Sequence, residues 1–317
     1  MHHREKLVVI VGPTAVGKTE LSLQLAGHFD GEIISGDSMQ VYRGMDIGTA
    51  KASPEELARV PHHLIDIIEP DEEYSVALFQ SAATRLITEI NQRGHLPFIV
   101  GGTGLYIESV THRFEFAQAE QDPELREQLQ RLAAAEGVEA LHRRLAEIDP
   151  ITAERLHPND VKRVIRAIEI YQLTGRKMSD YQHRAKHSPY DLVMIGLTME
   201  REKLYERINQ RVDKMIEEGL VEEVRRLLDR GYHPALTSMQ GLGYKELIPY
   251  LYGEITLEKA VNDIKQRTRH FAKRQLSWFR RMAEIQWFDV THREDRVKAG
   301  ETIKKILAGK FHQLPNI

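Results

Sequence analysis

The amino-terminal region of the chain reads Leu7-Val8-Val9-Ile10-Val11-Gly12-Pro13-Thr14-Ala15-Val16-Gly17-Lys18-Thr19. Its apolar first part, rich in β-branched side chains, is typical of a strand that is buried on both faces of a parallel sheet. The part from Gly12 onwards matches the pattern G-x-x-x-x-G-K-[ST], in which backbone N–H groups curl around an anion at the start of a helix. Lys18 would reach outer phosphate oxygens, and the hydroxyl of Thr19 would hold Mg²⁺. The segment therefore predicts a strand, a phosphate-binding loop and a helix that together bind a phosphorylated ligand.

The pattern beyond this loop predicts an α/β protein with a helical insertion. Strand-like runs at 32–35 and 96–100 alternate with helical segments, which indicates a doubly wound core. Only helical patterns follow until a strand-like run returns at 191–197, and a long helix near 256–283 precedes a last strand. We therefore predict a P-loop NTPase-like parallel sheet flanked by helices, formed by residues 1–113 and 188–317, with an all-helical insertion at 114–187.

The composition is that of an ordinary globular protein. The chain has 317 residues, 41% of them apolar, with 44 basic and 47 acidic side chains and no cysteine. The lack of cysteine excludes disulfides, thiol catalysis, iron–sulfur clusters and thiolate-bound zinc. No stretch approaches the roughly 18 apolar residues that span a membrane, and the amino terminus has no signal-peptide pattern. We expect a cytoplasmic monomer without a membrane partner.

The acidic residues near the phosphate loop leave its chemistry open. The strand at 96–100 ends in Gly101-Gly102-Thr103, without the carboxylate that holds Mg²⁺ in nucleotide-hydrolysing P-loop proteins. Asp66 follows only two apolar residues and is a weak substitute. Asp37 follows the second strand, at the edge of the sheet where α/β proteins bind ligands, and is a candidate general base. It could equally be a turn former or a helix N-cap.

Six sequence blocks together resemble the tRNA dimethylallyltransferase family. They are residues 12–19, 34–51, 100–106, 157–160 with Arg163 and Arg166, 241–246 and 272–280. The phosphate loop alone is unspecific, but the ordered combination from about residue 6 to residue 290 is highly specific.

The resemblance implies a prenyl transfer rather than nucleotide hydrolysis. The phosphate loop would hold the diphosphate of dimethylallyl diphosphate. The N6 amine of the adenosine on the 3′ side of the anticodon in tRNA would attack the allylic carbon, and pyrophosphate would leave. Asp37 would take the amine proton, Thr103 would help hold the amine, and Mg²⁺ with Lys18 and Thr19 would stabilise the leaving group.

Two arginines at helical spacing are further candidate diphosphate ligands. Arg207 and Arg211 lie one turn apart on a predicted helix, where cations can converge on a phosphate. The alternative is a solvated basic stripe that pairs with Glu200 and Glu206.

The predicted tRNA-binding residues fall into three groups. In the insertion, the family pattern assigns the grip on the anticodon stem-loop to Arg126, Lys162, Arg163 and Arg166, which could also be ordinary surface residues. Around a target adenine flipped out of its stack, it suggests Asp37, Ser38, Met39, Gln40, Thr103, Gln240, Gly241, Gly243 and Tyr244. On the long helix, the candidates are Lys273, Arg274 and Arg280.

The charges of the long helix support an RNA partner. Every charged residue from Lys265 to Met282 is basic, which is the usual footprint of a surface that binds a phosphate backbone. Phe271 and Trp278 recur at helical spacing, and we interpret both as core residues rather than base-stacking platforms.

Three other functions remain as alternatives. A dimethylallyltransferase that acts on free AMP or ADP would need neither the insertion nor the basic helix. A small-molecule P-loop kinase would leave the basic helix unexplained, and a non-catalytic RNA-binding protein would leave the phosphate loop beside Asp37 unexplained.

Overall fold

The computed structural model describes residues 4–117, 121–181 and 187–311. The chain divides into two compact units, one formed by Met1–Thr111 with Ser188–Ile317 and the other by His112–His187. The helical unit therefore begins two residues before the expected position. Among the described residues, no helix is both long and apolar enough to cross a bilayer.

The first unit is built on a six-stranded parallel sheet. Its strands are β1 (Lys6–Val11), β2 (Gly31–Ser35), β3 (His62–His63), β4 (Leu96–Gly101), β5 (Asp191–Thr198) and β6 (Ile285–Asp289). They are arranged in the order β3-β2-β4-β1-β5-β6, with every neighbouring pair parallel. The predicted fold class is confirmed; only β3, two residues long, has no signal in the sequence.

Thirteen α-helices complete the described part of the chain. Those of the first unit are α1 (Lys18–His28), α2 (Pro54–Arg59), α3 (Val76–Gln92), α4 (Gly104–Thr111), α9 (Arg201–Glu217), α10 (Leu220–Asp229), α11 (Tyr244–Leu251), α12 (Leu257–Phe279) and α13 (Arg293–Phe311). Those of the second are α5 (Pro123–Glu136), α6 (Val138–Ile148), α7 (Pro150–Arg155) and α8 (Val161–Thr174).

Alternate residues of β1 fill two different cores. Val8 and Ile10 pack with side chains of α1 and α13 on one face of the sheet. Leu7, Val9 and Val11 pack with side chains of α3 and α4 on the other face. Burial on both faces explains why β1 is an uninterrupted apolar run, and it fixes the position of the loop that follows.

The helical unit has a core of its own. Leu129, Leu141, Leu145, Val164 and Ile168 are buried together between α5, α6 and α8. The carboxylate of Asp122 accepts a hydrogen bond from the backbone N–H of Leu125 (2.9 Å), which caps α5 as Asp-Pro at a helix start predicts.

A buried ion cluster ties α5 to α8 in this unit. Arg126 donates to both carboxylate oxygens of Glu169 (2.8 and 2.9 Å), and Arg166 donates to the same group (2.5 Å). Burial alone would raise the pKa of Glu169, but the bonds from both arginines hold this pKa below its ordinary value. Arg126 and Arg166, two of the predicted RNA-binding residues, therefore both pair with a buried carboxylate of the unit's own core. Lys162 and Arg163 are exposed.

Replacing Glu169 with alanine should destabilise the helical unit. The substitution leaves two guanidinium groups without their shared partner, so we expect the free energy of unfolding to fall by about 3 kcal/mol. This lies at the low end for a broken buried pair, because both arginines are partly exposed and can turn towards water. Amide hydrogen exchange in α5 and α8 would measure the loss.

Arg163→Ala is the matched control for this experiment. Arg163 lies on α8 with 67% of its side chain exposed and makes only a loose pair with Asp160 at 3.3 Å. Its removal should change stability by less than about 0.5 kcal/mol. Equal protection in Glu169→Ala and wild-type protein would contradict the role of the cluster.

Candidate functional site

The loop between β1 and α1 has the geometry of a phosphate-binding loop. Gly12 and Gly17 adopt positive φ angles of 148° and 111°, and Gly17 precedes the first turn of α1. A Cβ atom on Gly12 would lie 2.6 Å from the carbonyl oxygen of Leu197, so only glycine fits there. The ammonium group of Lys18 donates to the carbonyl oxygens of Gly12 (2.9 Å) and Pro13 (2.8 Å) within the same loop.

Lys18 and Asp37 influence each other electrostatically. Burial lowers the pKa of Lys18 to about 7, and nearby Arg211 adds to this shift while Asp37 opposes it. Burial raises the pKa of Asp37, although the backbone N–H of Met39, Lys18 and Arg211 act in the opposite sense. Both groups are therefore closer to neutrality at physiological pH than they would be in water.

Asp37 also forms the local turn that the sequence left open. Its Oδ1 accepts a hydrogen bond from the backbone N–H of Met39 (2.9 Å), an Asx turn that holds the carboxylate in one orientation. The turn and a chemical role are compatible, because the same carboxylate lines a cavity that contains Lys18 and Thr14.

Thr103 lies beside this turn. Its hydroxyl oxygen accepts from the backbone N–H of Ser38 (3.1 Å), and its own N–H donates to the carbonyl oxygen of Gly36 (3.3 Å). The two backbones approach closely, because a Cβ atom on Gly101 would lie 2.3 Å from Gly36. The loops after β2 and β4 are therefore joined at the edge of the sheet.

Arg207 and Arg211 lie next to the phosphate loop. A guanidinium nitrogen of Arg211 is 3.4 Å from the hydroxyl oxygen of Thr14, and Arg207 lies beside Gly17. Within the described residues, the buried Nη1 of Arg207 has no hydrogen-bond partner. Both arginines are partly buried, and Glu206, their partner in the alternative interpretation, pairs with Lys203 instead.

Two cavities meet at Asp37. The first, of about 1090 Å³, contains the phosphate loop with Lys18 and Thr19 and extends along residues 46–57. The second, of about 740 Å³, lies between residues 38–39, residues 241–245 and α12. Their shared lining residues include Thr14, Asp37, Thr49, Arg211 and Phe271. Two ligands, one in each cavity, would come together at the carboxylate of Asp37.

Seven of the nine predicted acceptor-side residues line the second cavity, and Gln40 and Gln240 do not. Ser38, Met39, Gly241 and Gly243 lie along it together with Thr103 and Arg274.

Tyr244 lines the second cavity but is fully buried, and its hydroxyl donates to Glu223 (2.6 Å), so it supports the wall of the cavity from inside. Gln40 lines the first cavity, where its amide donates to the carbonyl oxygens of Thr49 (3.2 Å) and Ala50 (3.3 Å). Gln240 lines neither cavity and donates to Pro234 (2.8 Å).

Glu223 has a structural role that the sequence does not reveal. Its buried carboxylate accepts hydrogen bonds from the backbone N–H groups of Asp46 (3.0 Å), Ile47 (2.9 Å) and Gly48 (3.1 Å), as well as from Tyr244. It thereby fixes the loop that lines the first cavity. One acidic residue on an amphipathic helix carries no signal that distinguishes it from its exposed neighbours.

The basic residues of α12 differ in their partners. Lys265 pairs with Asp213, and Arg267 lies 3.5 Å from Glu246. In the described part of the chain, no acidic partner is found for the exposed Lys273, Arg274 and Arg280. The unpaired positive surface is therefore confined to the carboxyl-terminal half of the helix.

Trp278 and Phe271, two of the aromatic residues of α12, also differ in their surroundings. Trp278 packs against the core beneath the sheet, as expected. Phe271 is only half-buried and lines both cavities, so its interpretation as a core residue is wrong. Helical spacing places both rings on one face but does not show where a cavity interrupts the core.

Comparison with known proteins agrees with the resemblance that the motifs indicate. The family profile described as IPP transferase matches residues 40–282. The chain is 54% identical to the tRNA dimethylallyltransferase of Halalkalibacterium halodurans, with 98% of this chain and 99% of that one covered. It is 57% identical to the enzyme of the same name from Carboxydothermus hydrogenoformans, with 90% and 92% covered.

Solved structures give the same result. The full-length tRNA isopentenylpyrophosphate transferase of Bacillus halodurans superposes with a TM-score of 0.73 at 53% identity, covering 98% of this chain and 97% of that one. A eukaryotic dimethylallyltransferase acting on tRNA superposes with a TM-score of 0.84 at 30% identity, covering 99% of this chain and 81% of that one. On both sequence and structure, the chain belongs to the IPP transferase family of tRNA-modifying prenyltransferases.

Proposed function

We propose that the protein transfers a dimethylallyl group from dimethylallyl diphosphate to the N6 amine of the adenosine on the 3′ side of the anticodon in tRNA, with release of pyrophosphate. The observation that carries this proposal is the position of Asp37, where a cavity rich in buried cations meets a second cavity beside a basic helix. The names of the relatives support the donor class and the tRNA acceptor.

The first cavity suits a diphosphate. Lys18, Arg207 and Arg211 lie around it, and burial lowers the pKa of all three. Buried cations are costly unless an anion pairs with them. The unpartnered Nη1 of Arg207 and the loop's helix N-terminus are groups that phosphate oxygens would satisfy.

A magnesium ion would arrive with the diphosphate rather than occupy a site made by protein alone. Among the described residues, no cluster of three His, Asp or Glu side chains could hold a metal. Mg²⁺ commonly keeps several waters and binds substrate phosphates, and the exposed hydroxyl of Thr19 lines the same cavity. When bound there, the ion would neutralise charge that develops on the leaving pyrophosphate.

The residues at the junction of the cavities supply the remaining chemistry. The N6 nitrogen forms a bond to the allylic carbon, the carbon–oxygen bond breaks, and its electron pair leaves with pyrophosphate. The N6 proton passes to the carboxylate of Asp37, which burial makes more basic than an exposed aspartate. Thr103, bonded to the adjacent Ser38, would orient the amine, and Lys18 and Arg211 would stabilise the diphosphate.

A macromolecular acceptor explains the second cavity and its surroundings. Arg274 lines this cavity, and the exposed cations Lys273 and Arg280 lie on the same helix. Because Asp37 is buried, a stacked adenine could reach it only after being flipped out. The helical unit, with Lys162 and Arg163 exposed, would grip the anticodon stem-loop.

The decisive experiment measures label transfer and the effect of Asp37→Asn. Purified protein, Mg²⁺ and radiolabelled dimethylallyl diphosphate are incubated with unmodified tRNA, with AMP, and without acceptor. We expect label in tRNA only. Asp37→Asn should lower kcat by about 10²- to 10⁴-fold, the range for loss of a general base, with tRNA affinity unchanged within a few-fold.

Asp71→Asn, an exposed substitution in the same unit, is the control and should retain wild-type kcat. Label in AMP would indicate the adenylate-modifying alternative, and phosphate release from ATP would indicate a kinase. Normal turnover of Asp37→Asn at saturating substrate would exclude the general-base role.

The pH dependence of donor use should follow Lys18. Because its pKa is lowered to about 7, the free enzyme loses this cation as pH rises through neutrality. The kcat/KM for dimethylallyl diphosphate should therefore fall by up to about tenfold per pH unit on the alkaline side. Lys18→Arg keeps its charge at every accessible pH, so its lower kcat/KM should stay flat to pH 9. If kcat/KM falls equally at alkaline pH in both proteins, the titration of a group other than Lys18 causes the decline.

Arg163 should contribute to RNA binding through its charge. We expect Arg163→Ala to raise KM for tRNA and to reduce the slope of log KM against log salt by roughly one unit or less, as the loss of one phosphate contact would. Arg166→Ala is an unsuitable probe because Arg166 pairs with Glu169. Glu139→Ala, an exposed acidic position of α6, is the control. An unchanged salt slope in Arg163→Ala would make Arg163 an ordinary surface residue.

A further inference from the structure

Gln275 makes two hydrogen bonds that join the loops on either side of the site. Its side-chain oxygen accepts from the backbone N–H of Thr14 (2.8 Å), in the phosphate loop. Its side-chain nitrogen donates to the carbonyl oxygen of Gly102 (3.0 Å), in the loop after β4. Gln275 is 5% exposed, so both bonds lie in an environment where lost partners are not replaced freely by water.

The hydrogen bond to Gly102 is linked to the Asp37 turn through the neighbouring residues Thr103 and Ser38. Thr103 follows Gly102, and its hydroxyl accepts from the backbone N–H of Ser38, the residue after Asp37. One side chain therefore connects the loop that holds the donor with the loop that orients the carboxylate. In the sequence, Gln275 lies 261 residues from Thr14 and 173 residues from Gly102.

Tight packing fixes the distance between the helix and these loops. A Cβ atom on Gly102 would lie 2.0 Å from the side-chain nitrogen of Gln275. A Cβ atom on Gly104 would lie 2.5 Å from the ring of Trp278, one turn further along α12. Gln275 therefore reaches the loops from a helix that lies directly against them.

We propose that Gln275 is a positioning residue that sets the phosphate loop relative to Asp37, and hence the allylic carbon relative to the attacking amine. The inference rests on the proposed function, because it concerns the alignment of the two substrates. Gln275 acts through Thr14 and Gly102 and takes no part in proton or group transfer. A misalignment of about 1 Å is enough to slow a reaction by about 100-fold.

The test is Gln275→Met, which keeps the length and nearly the volume of the side chain but removes both bonds. At saturating tRNA and dimethylallyl diphosphate, we expect kcat to fall by about 10- to 100-fold. KM for tRNA should stay within threefold, because the exposed cations of α12 are untouched. Gln275→Glu keeps an acceptor for Thr14 but cannot donate to Gly102, and it should also lose kcat.

Two control variants separate positioning from stability. Ser277→Ala changes an exposed residue of the same helix and should retain wild-type kcat. Ala260→Gly weakens the opposite end of α12 and should lower the unfolding temperature without changing kcat below it. If Gln275→Met and Gln275→Glu both keep wild-type kcat, or if Ala260→Gly loses as much kcat as they do, the positioning role is overturned.

A binding measurement distinguishes failure of this inference from failure of the proposed function. Calorimetry with inorganic pyrophosphate and Mg²⁺ reports on the phosphate loop without any transfer reaction. We expect Gln275→Met to weaken this binding at least fivefold while Ala260→Gly leaves it unchanged. Absence of transfer by wild-type protein would refute the proposed function alone, whereas equal pyrophosphate affinity in Gln275→Met and wild type would refute the positioning role.

Discussion

Lys18, Arg207 and Arg211 crowd around one loop, and within the part of the chain that the structure describes, Asp37 is the acidic group that opposes the pKa shifts of Lys18 and Arg211. Charges buried with incomplete neutralisation shift towards their neutral forms, which is why the pKa of Lys18 falls and that of Asp37 rises. A bound diphosphate would reverse the first shift and strengthen the second, since its negative charge favours a protonated Lys18 and disfavours an ionised Asp37. Donor binding would therefore make Asp37 more basic, in keeping with its proposed role as general base.

The sheet places these groups together. β1, β4 and β2 are adjacent and parallel, so their carboxyl ends bring the phosphate loop, the Thr103 loop and the Asp37 turn to one edge. The close backbone approach of Gly36 and Gly101 removes the space that side chains would occupy between two of these loops. The order of the strands and the two glycines therefore fix the position of Asp37 relative to the phosphate loop.

Sequence patterns correctly predicted the features that depend on interactions between residues close together in the chain. The apolar run of β1, the glycines of the phosphate loop and the Asp-Pro start of α5 each act within a few residues, and each was found where the sequence indicated. Glu223, Glu169 and Gln275 each form at least one hydrogen bond to a group between 43 and 261 residues away, and no periodicity reports such pairs. The sequence showed Arg126 and Arg166 as cations on amphipathic helices, but a cation's partner, whether an RNA phosphate or a buried carboxylate, depends on the tertiary structure. The same limit applies to Phe271, whose spacing suits a core face that a cavity interrupts.

The long helix α12 explains how a protein with a net charge of −3 can carry an unpaired positive surface. Its first half is neutralised by Asp213 and Glu246, which leaves the unpaired cations in the half that lies over the site. Non-specific attraction to nucleic acid stays weak because acidic residues outnumber basic ones over the whole chain. On one turn of this half, Arg274 lines the second cavity while Gln275, the next residue, bonds to the phosphate loop. Because an α-helix turns about 100° per residue, consecutive positions face different directions, and one rigid element can both line the second cavity and support the phosphate loop. A flexible loop with the same side chains would hold neither the cavity wall nor the phosphate loop at a fixed distance from Asp37.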